Sequence, residues 1–131
     1  MEMEIVFPGG ARVDAILGDL VITTDQDGSA PSPFNLFLAS MGTCAGIYVL
    51  GFCQQRGLPT DGLRIIQRMS HNSQTRLIDR VELDIQLPPG FPEQYKAAVI
   101  RSAELCAVKK HLENPPAFDV YTSVRTPQAS N

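Results

Sequence analysis

Residues 33–55, PFNLFLASMGTCAGIYVLGFCQQ, contain no charged side chain. A run of this length is either a membrane span or a helix buried on most of its sides. Its ends carry helix signals. Ser32 is suited to cap the N-terminus and Pro33 to occupy the first turn. Arg56-Gly57, with Pro59 beyond, marks the stop. Asn35, Ser40, Thr43, Gln54, Gln55 and three glycines make a poor lipid-facing surface. The rest of the chain carries one-sided apolar patterns that need a partner. The run is therefore read as the central buried helix of a globular domain, with no membrane partner.

The flanking segments read as strands. Met3–Phe7 is short and apolar, and Pro8-Gly9-Gly10 is a turn. Arg12–Leu17 and Leu20–Thr24 form a hairpin around Gly18-Asp19. After the helix, Leu63–Ser70 and Leu77–Leu87 alternate apolar and polar residues, as strands with one buried face do. Pro92 opens a second helix whose apolar positions run through Tyr95, Val99, Leu105, Val108 and Leu112, and Asn114-Pro115-Pro116 stops it. Phe118–Arg125 reads as a last strand. The order βββαββαβ, with strand pairs joined by short turns, predicts an α+β domain of antiparallel sheets packed on two helices. Residues 1–131 form a single domain without repeats.

Composition narrows the function. With 44% hydrophobic and 19% charged residues the chain is globular. A net charge of −3 argues against nucleic acid, which needs a basic face. Three cysteines are too few for a secreted disulfide scaffold, and none shows metal-site spacing, so neither a metal nor a cofactor is expected. The acidic N-terminus (MEMEIVFPGG) does not read as a signal peptide. A cytoplasmic location fits best.

The cysteines then separate by geometry. At about 100° per residue, Cys44 and Cys53 lie on opposite faces of one helix and cannot pair. Cys53 reads as packing. Cys44 and Cys106 sit on different helices, free to meet as a redox pair or to remain two unrelated buried thiols. Lys109 and Lys110, near Cys106, read as an ordinary helix end. His71, His111 and Glu104 are given no role.

The run Ser32-Pro33-Phe34-Asn35-Leu36-Phe37-Leu38-Ala39-Ser40-Met41-Gly42-Thr43-Cys44 resembles the first cysteine signature of the osmotically inducible protein C and organic hydroperoxide resistance family (OsmC/Ohr). Leu105-Cys106-Ala107-Val108-Lys109-Lys110 is similar to the second signature in outline. The resemblance extends over essentially the whole chain. It implies an intertwined homodimer in which buried central helices are sandwiched by sheets, with two sites at the subunit interface. It also implies a thiol-dependent peroxidase for small-molecule organic hydroperoxides, regenerated by an external dithiol. By position Cys44 would be the peroxidatic thiol, Cys106 the resolving thiol, and Arg12 the cation that lowers the thiol pKa and orients the peroxide.

The sequence departs from the family in one respect. Well-studied members carry a Glu directly after the Pro of the first signature, where it holds the Arg; this chain has Phe34. Arg12 would then be positioned by Asp14, by Asp25 or by a residue of a second subunit, or be less ordered. Two readings stay open: the peroxidase, and a member that keeps fold and thiols but binds or carries a small molecule, or acts as a redox-sensitive protein, without turnover.

Overall fold

The computed structural model describes residues 1–126 of the chain. Strands β1 (Glu4–Gly9), β2 (Arg12–Leu17) and β3 (Leu20–Asp25) form an antiparallel sheet in the order β1-β2-β3. Gly18 takes φ +58°, the left-handed conformation that suits the first position of a two-residue hairpin turn, and Leu17 pairs with Leu20 across it. Helix α1 (Pro33–Gln55) follows, then the antiparallel pair β4 (Arg64–His71) and β5 (Ile78–Gln86). A 3-10 turn (Glu93–Tyr95) leads into α2 (Lys96–Ala103) and α3 (Ala107–Glu113). The fold is the expected α+β class.

Both ends of α1 follow local chemistry. The Ser32 hydroxyl accepts the Asn35 N–H at 3.2 Å. At the other end Gly57 takes φ +62°, the Leu58 N–H donates to the Cys53 carbonyl at 2.9 Å, and the Gly57 N–H donates to Gln54 at 3.3 Å. These two bonds make a Schellman stop, in which the left-handed glycine satisfies carbonyls that the helix leaves orphaned.

Two expectations need correction. The second helix is not continuous: it breaks at Glu104–Cys106, where Leu105 and Cys106 donate back to Ser102 and Ala103, and Cys106 leaves helical geometry at ψ 124°. Cys106 thus caps α3 instead of lying within a helix. Phe118–Arg125 forms no strand, because neither sheet of its own chain pairs with it. Its Phe118, Val120, Tyr121 and Val124 are exposed.

The core is narrow. Ala45, Val49 and Cys53, spaced four apart, form one buried stripe of α1 against Val99 and Ala103 of α2 and Phe91. Leu83 and Ile85 of β5 and the edge-to-face pair Phe52–Tyr95 extend it. The Gln67 side chain fastens β4 to α1 through the Leu38 carbonyl at 2.9 Å. Elsewhere α1 is bare: Phe34, Phe37, Ile47, Tyr48 and Leu50 are all exposed. By length and composition alone α1 could cross a membrane. Among the described residues, β1–β3 makes at most marginal contact with the rest of the chain, and Ile5, Phe7, Leu20, Val21 and Ile22 are exposed on it.

Cys53 is fully buried in the α1 stripe, and burial pushes its thiol pKa up. Replacing it with serine would put a hydroxyl into an apolar site. Cys53→Ser is expected to cost about 1–3 kcal/mol of stability, read as a lower midpoint of urea unfolding, with the reactivity of the other thiols unchanged.

Candidate active site

The break in the second helix builds the site. Because the chain turns at Cys106 and restarts as α3, the first N–H groups of α3 have no carbonyl of their own helix to bond. One is taken by the cap: the Lys109 N–H donates to Cys106 Sγ at 3.4 Å. The N–H groups of Val108 and Ala107 face Cys44, midway along α1. The Cys106 thiol is a near neighbour of Cys44. Both thiols are free, Cys44 half-buried and Cys106 buried.

These contacts polarise the pair in opposite directions. The Val108 N–H, then the Cys106 thiol, and more weakly the Ala107 N–H, pull the Cys44 pKa below the ordinary thiol value, against a smaller opposing effect of burial. Burial raises the Cys106 pKa, helped by the neighbouring Cys44 and offset by the N–H groups of Lys109 and Val108. Cys44 is therefore the thiol disposed to ionise and Cys106 the one disposed to keep its proton, and the thiolate is the nucleophile.

Arg12 lies elsewhere. Its Nη2 sits 2.7 Å from Asp14 Oδ2, and the Asp14 carboxylate is buried with its Oδ1 unpartnered. Asp25, opposite Arg12 in the β2–β3 ladder, accepts the Ser29 hydroxyl and, at 2.8 Å, the Asp27 N–H. Those bonds, with a smaller contribution from the Arg12 charge, lower the Asp25 pKa. The structure thus brings Cys44 and Cys106 together, and leaves Arg12 with Asp14 on the separate sheet. Of the open choices for holding Arg12, Asp14 is the one in contact. Their spacing of two puts both on one face of the strand, a signal present in the sequence. The N–H donors of Ala107 and Val108 had no such signal, since backbone groups leave no residue signature. Phe34 stacks on Phe37 with ring centroids 5.8 Å apart.

Two apolar hollows flank the junction. A cavity of about 490 Å³ is lined by Met41, Val81, Leu83, Ile100, Cys106 and Leu112. A groove of about 390 Å³ on the other side is walled by Phe37, Ala107, Val108, His111, Pro115 and Phe118.

An α+β fold whose central helix carries one half of a juxtaposed thiol pair defines a dithiol protein. The chain belongs to the OsmC-like family, whose model matches residues 26–120. Among solved structures it is similar to a protein of Psychrobacter arcticus 273-4, provisionally described as an osmotic stress induced and detoxification response protein, at 19% identity and TM-score 0.68, covering 82% of this chain and 85% of that one. It is also similar to an OsmC-like protein of Mycoplasma pneumoniae (12% identity, TM-score 0.63, 87% of each chain) and to a hypothetical protein of Aquifex aeolicus VF5 (17%, 0.67, 87% of each). At these identities the likeness is one of fold. No sequence among the curated proteins matches significantly.

A lowered Cys44 pKa means that its thiolate persists to lower pH than that of an ordinary cysteine. The pH profile of Cys44 alkylation should accordingly inflect below that of the unfolded protein. Cys106→Ala removes one of the causes and should move the inflection up, while leaving it below the unfolded value because the Val108 N–H remains.

Proposed function

We propose that the protein is a thiol-dependent peroxidase for organic hydroperoxides, with Cys44 as the attacking thiolate and Cys106 as the resolving thiol. The observation that supports it is the Cys44 sulfur set against the Val108 and Ala107 N–H groups, with the Cys106 thiol, whose pKa burial raises, beside it. In the first step the Cys44 thiolate takes the terminal OH of the hydroperoxide. An S–O bond forms, the O–O bond breaks, sulfur is oxidised by two electrons, and the alkoxide leaves to become an alcohol. In the second step the Cys106 sulfur displaces the sulfenic oxygen, which departs with the Cys106 proton as water, and a Cys44–Cys106 disulfide remains. An external dithiol in a reducing compartment returns both thiols. The flanking apolar hollows suit a hydroperoxide with a hydrocarbon body.

Titrating the reduced protein with an alkyl hydroperoxide tests the reading. Wild type and Cys53→Ser should lose two thiols per equivalent, and Cys106→Ser should stop with Cys44 as sulfenic acid. Cys44→Ser should consume nothing. A wild-type protein that keeps all its thiols would overturn the proposal. The replacement of the family Glu by Phe34, stacked on Phe37, would then favour the second reading, a protein that binds a small apolar molecule without turnover.

The same reading makes the working unit a homodimer. The bare faces of α1, of β1–β3 and of residues 118–125 carry exposed apolar side chains, and a second copy would cover them. Burial by another copy stabilises in proportion to the area removed from water, and obligate dimers are joined by large apolar interfaces. Arg12, held by Asp14, would then serve the Cys44 of the second copy. Light scattering at micromolar concentration should give twice the 14.3 kDa chain mass. A stable folded monomer would count against the dimer, and detergent-dependent solubility would favour a membrane-bound α1.

A further inference from the structure

Cys44 and Cys106 are near neighbours that come from separate elements, the middle of α1 and the break before α3, and both are free thiols. A third sulfur belongs with them. Met41 stands three residues before Cys44, on the same side of α1, and it lines the cavity of about 490 Å³ together with Cys106. Val81, Leu83 and Ile100 add only hydrocarbon to that wall, and Glu104 is its single carboxylate among the described residues. Among the described residues no three His, Cys, Asp or Glu side chains gather as a metal site. Zinc, with its tetrahedral set of nitrogen and sulfur ligands, and hard cations, with their many oxygens, therefore lack a donor set here. Two thiols and a thioether suit a soft cation that is content with few ligands, and sulfur donors of these two kinds select Cu(I).

We infer that Cys44 and Cys106 hold one Cu(I) ion between their sulfurs, with Met41 as a third, thioether donor. The cation bonds to the Cys44 thiolate and displaces the proton of Cys106, which passes to solvent; no electron moves. The occupied pair carries one net negative charge. The Val108 and Ala107 N–H groups that face Cys44 offset it. Because the sulfurs meet only in the tertiary fold, no spacing in the sequence marks the site. Capture of Cu(I) does not rest on peroxide turnover, and a pair occupied by the cation has no free thiolate with which to attack a hydroperoxide.

The test titrates the reduced full chain with Cu(I), without oxygen, against bicinchoninate as a coloured competing chelator. Wild type and Cys53→Ser should each hold one Cu(I) per chain. Cys44→Ser and Cys106→Ser should bind about 100-fold more weakly or worse, since losing a ligand costs no less than losing a group that merely orients one. Met41→Leu, which keeps the volume, should weaken binding by about 10-fold. In the loaded wild type, iodoacetamide should label neither Cys44 nor Cys106, whereas the same amount of Zn(II) should leave both open to it. That readout needs no variant, so it decides even where a cysteine substitution fails to fold. A wild type that yields all its Cu(I) to the chelator would overturn the inference, as would single-cysteine variants that bind as tightly as wild type, or equal protection by Zn(II). An unchanged affinity in Met41→Leu would overturn the three-sulfur site.

Discussion

A 23-residue helix without a charge has to be covered, and one copy of this chain covers only a stripe of it. That constraint organises the molecule. The Ala45–Val49–Cys53 line is buried by α2 and by the loop carrying Phe91, and this packing brings the end of α2 against the middle of α1. The remaining apolar faces of α1 stay bare, as does a three-stranded sheet that packs on nothing extensive of its own. The exposed apolar residues therefore lie on three elements: the uncovered faces of α1, the sheet β1–β3, and Phe118, Val120, Tyr121 and Val124 beyond α3.

The chemistry depends on the same packing. Had α2 run on through Cys106, that sulfur would lie on the side of a regular helix and its neighbours' N–H groups would be spent on backbone bonds. The break frees those donors and aims them at Cys44. Backbone donors have an advantage over a long cationic side chain: they are fixed by the fold and lose no rotamer freedom on binding a charge. They lower the Cys44 pKa with Phe34 and no carboxylate at position 34.

The limits of α1 could be read from residue types, because Ser32, Pro33 and Gly57 act through strictly local bonds. The strand pairs and the α+β class were legible for a similar reason, since alternation reports a face. The break at Glu104–Cys106 was not. Val99, Leu105, Val108 and Leu112 keep a helical period across it, no glycine or proline marks it, and sulfur is an unusual cap. Leu105, counted on the apolar face, is in fact exposed. The alternation of Phe118–Arg125 shows a capacity to form a strand, but pairing needs an edge that its own chain does not supply. Arg12 and Asp14 could be placed on one strand face from their spacing, whereas the distance from that sheet to the thiols is a tertiary property with no local trace.

The length of α1 between Cys44 and Cys53 also keeps the third sulfur apart. An odd number of thiols leaves open which two could pair under oxidation. Nine residues of helix separate Cys44 from Cys53 along the axis by about 13.5 Å, while a disulfide asks for Cα atoms about 4.4–6.8 Å apart. No rotation of a side chain closes that gap. The helix works as a spacer as well as a core, and wrong pairing would require unwinding the element on which the whole subunit is built.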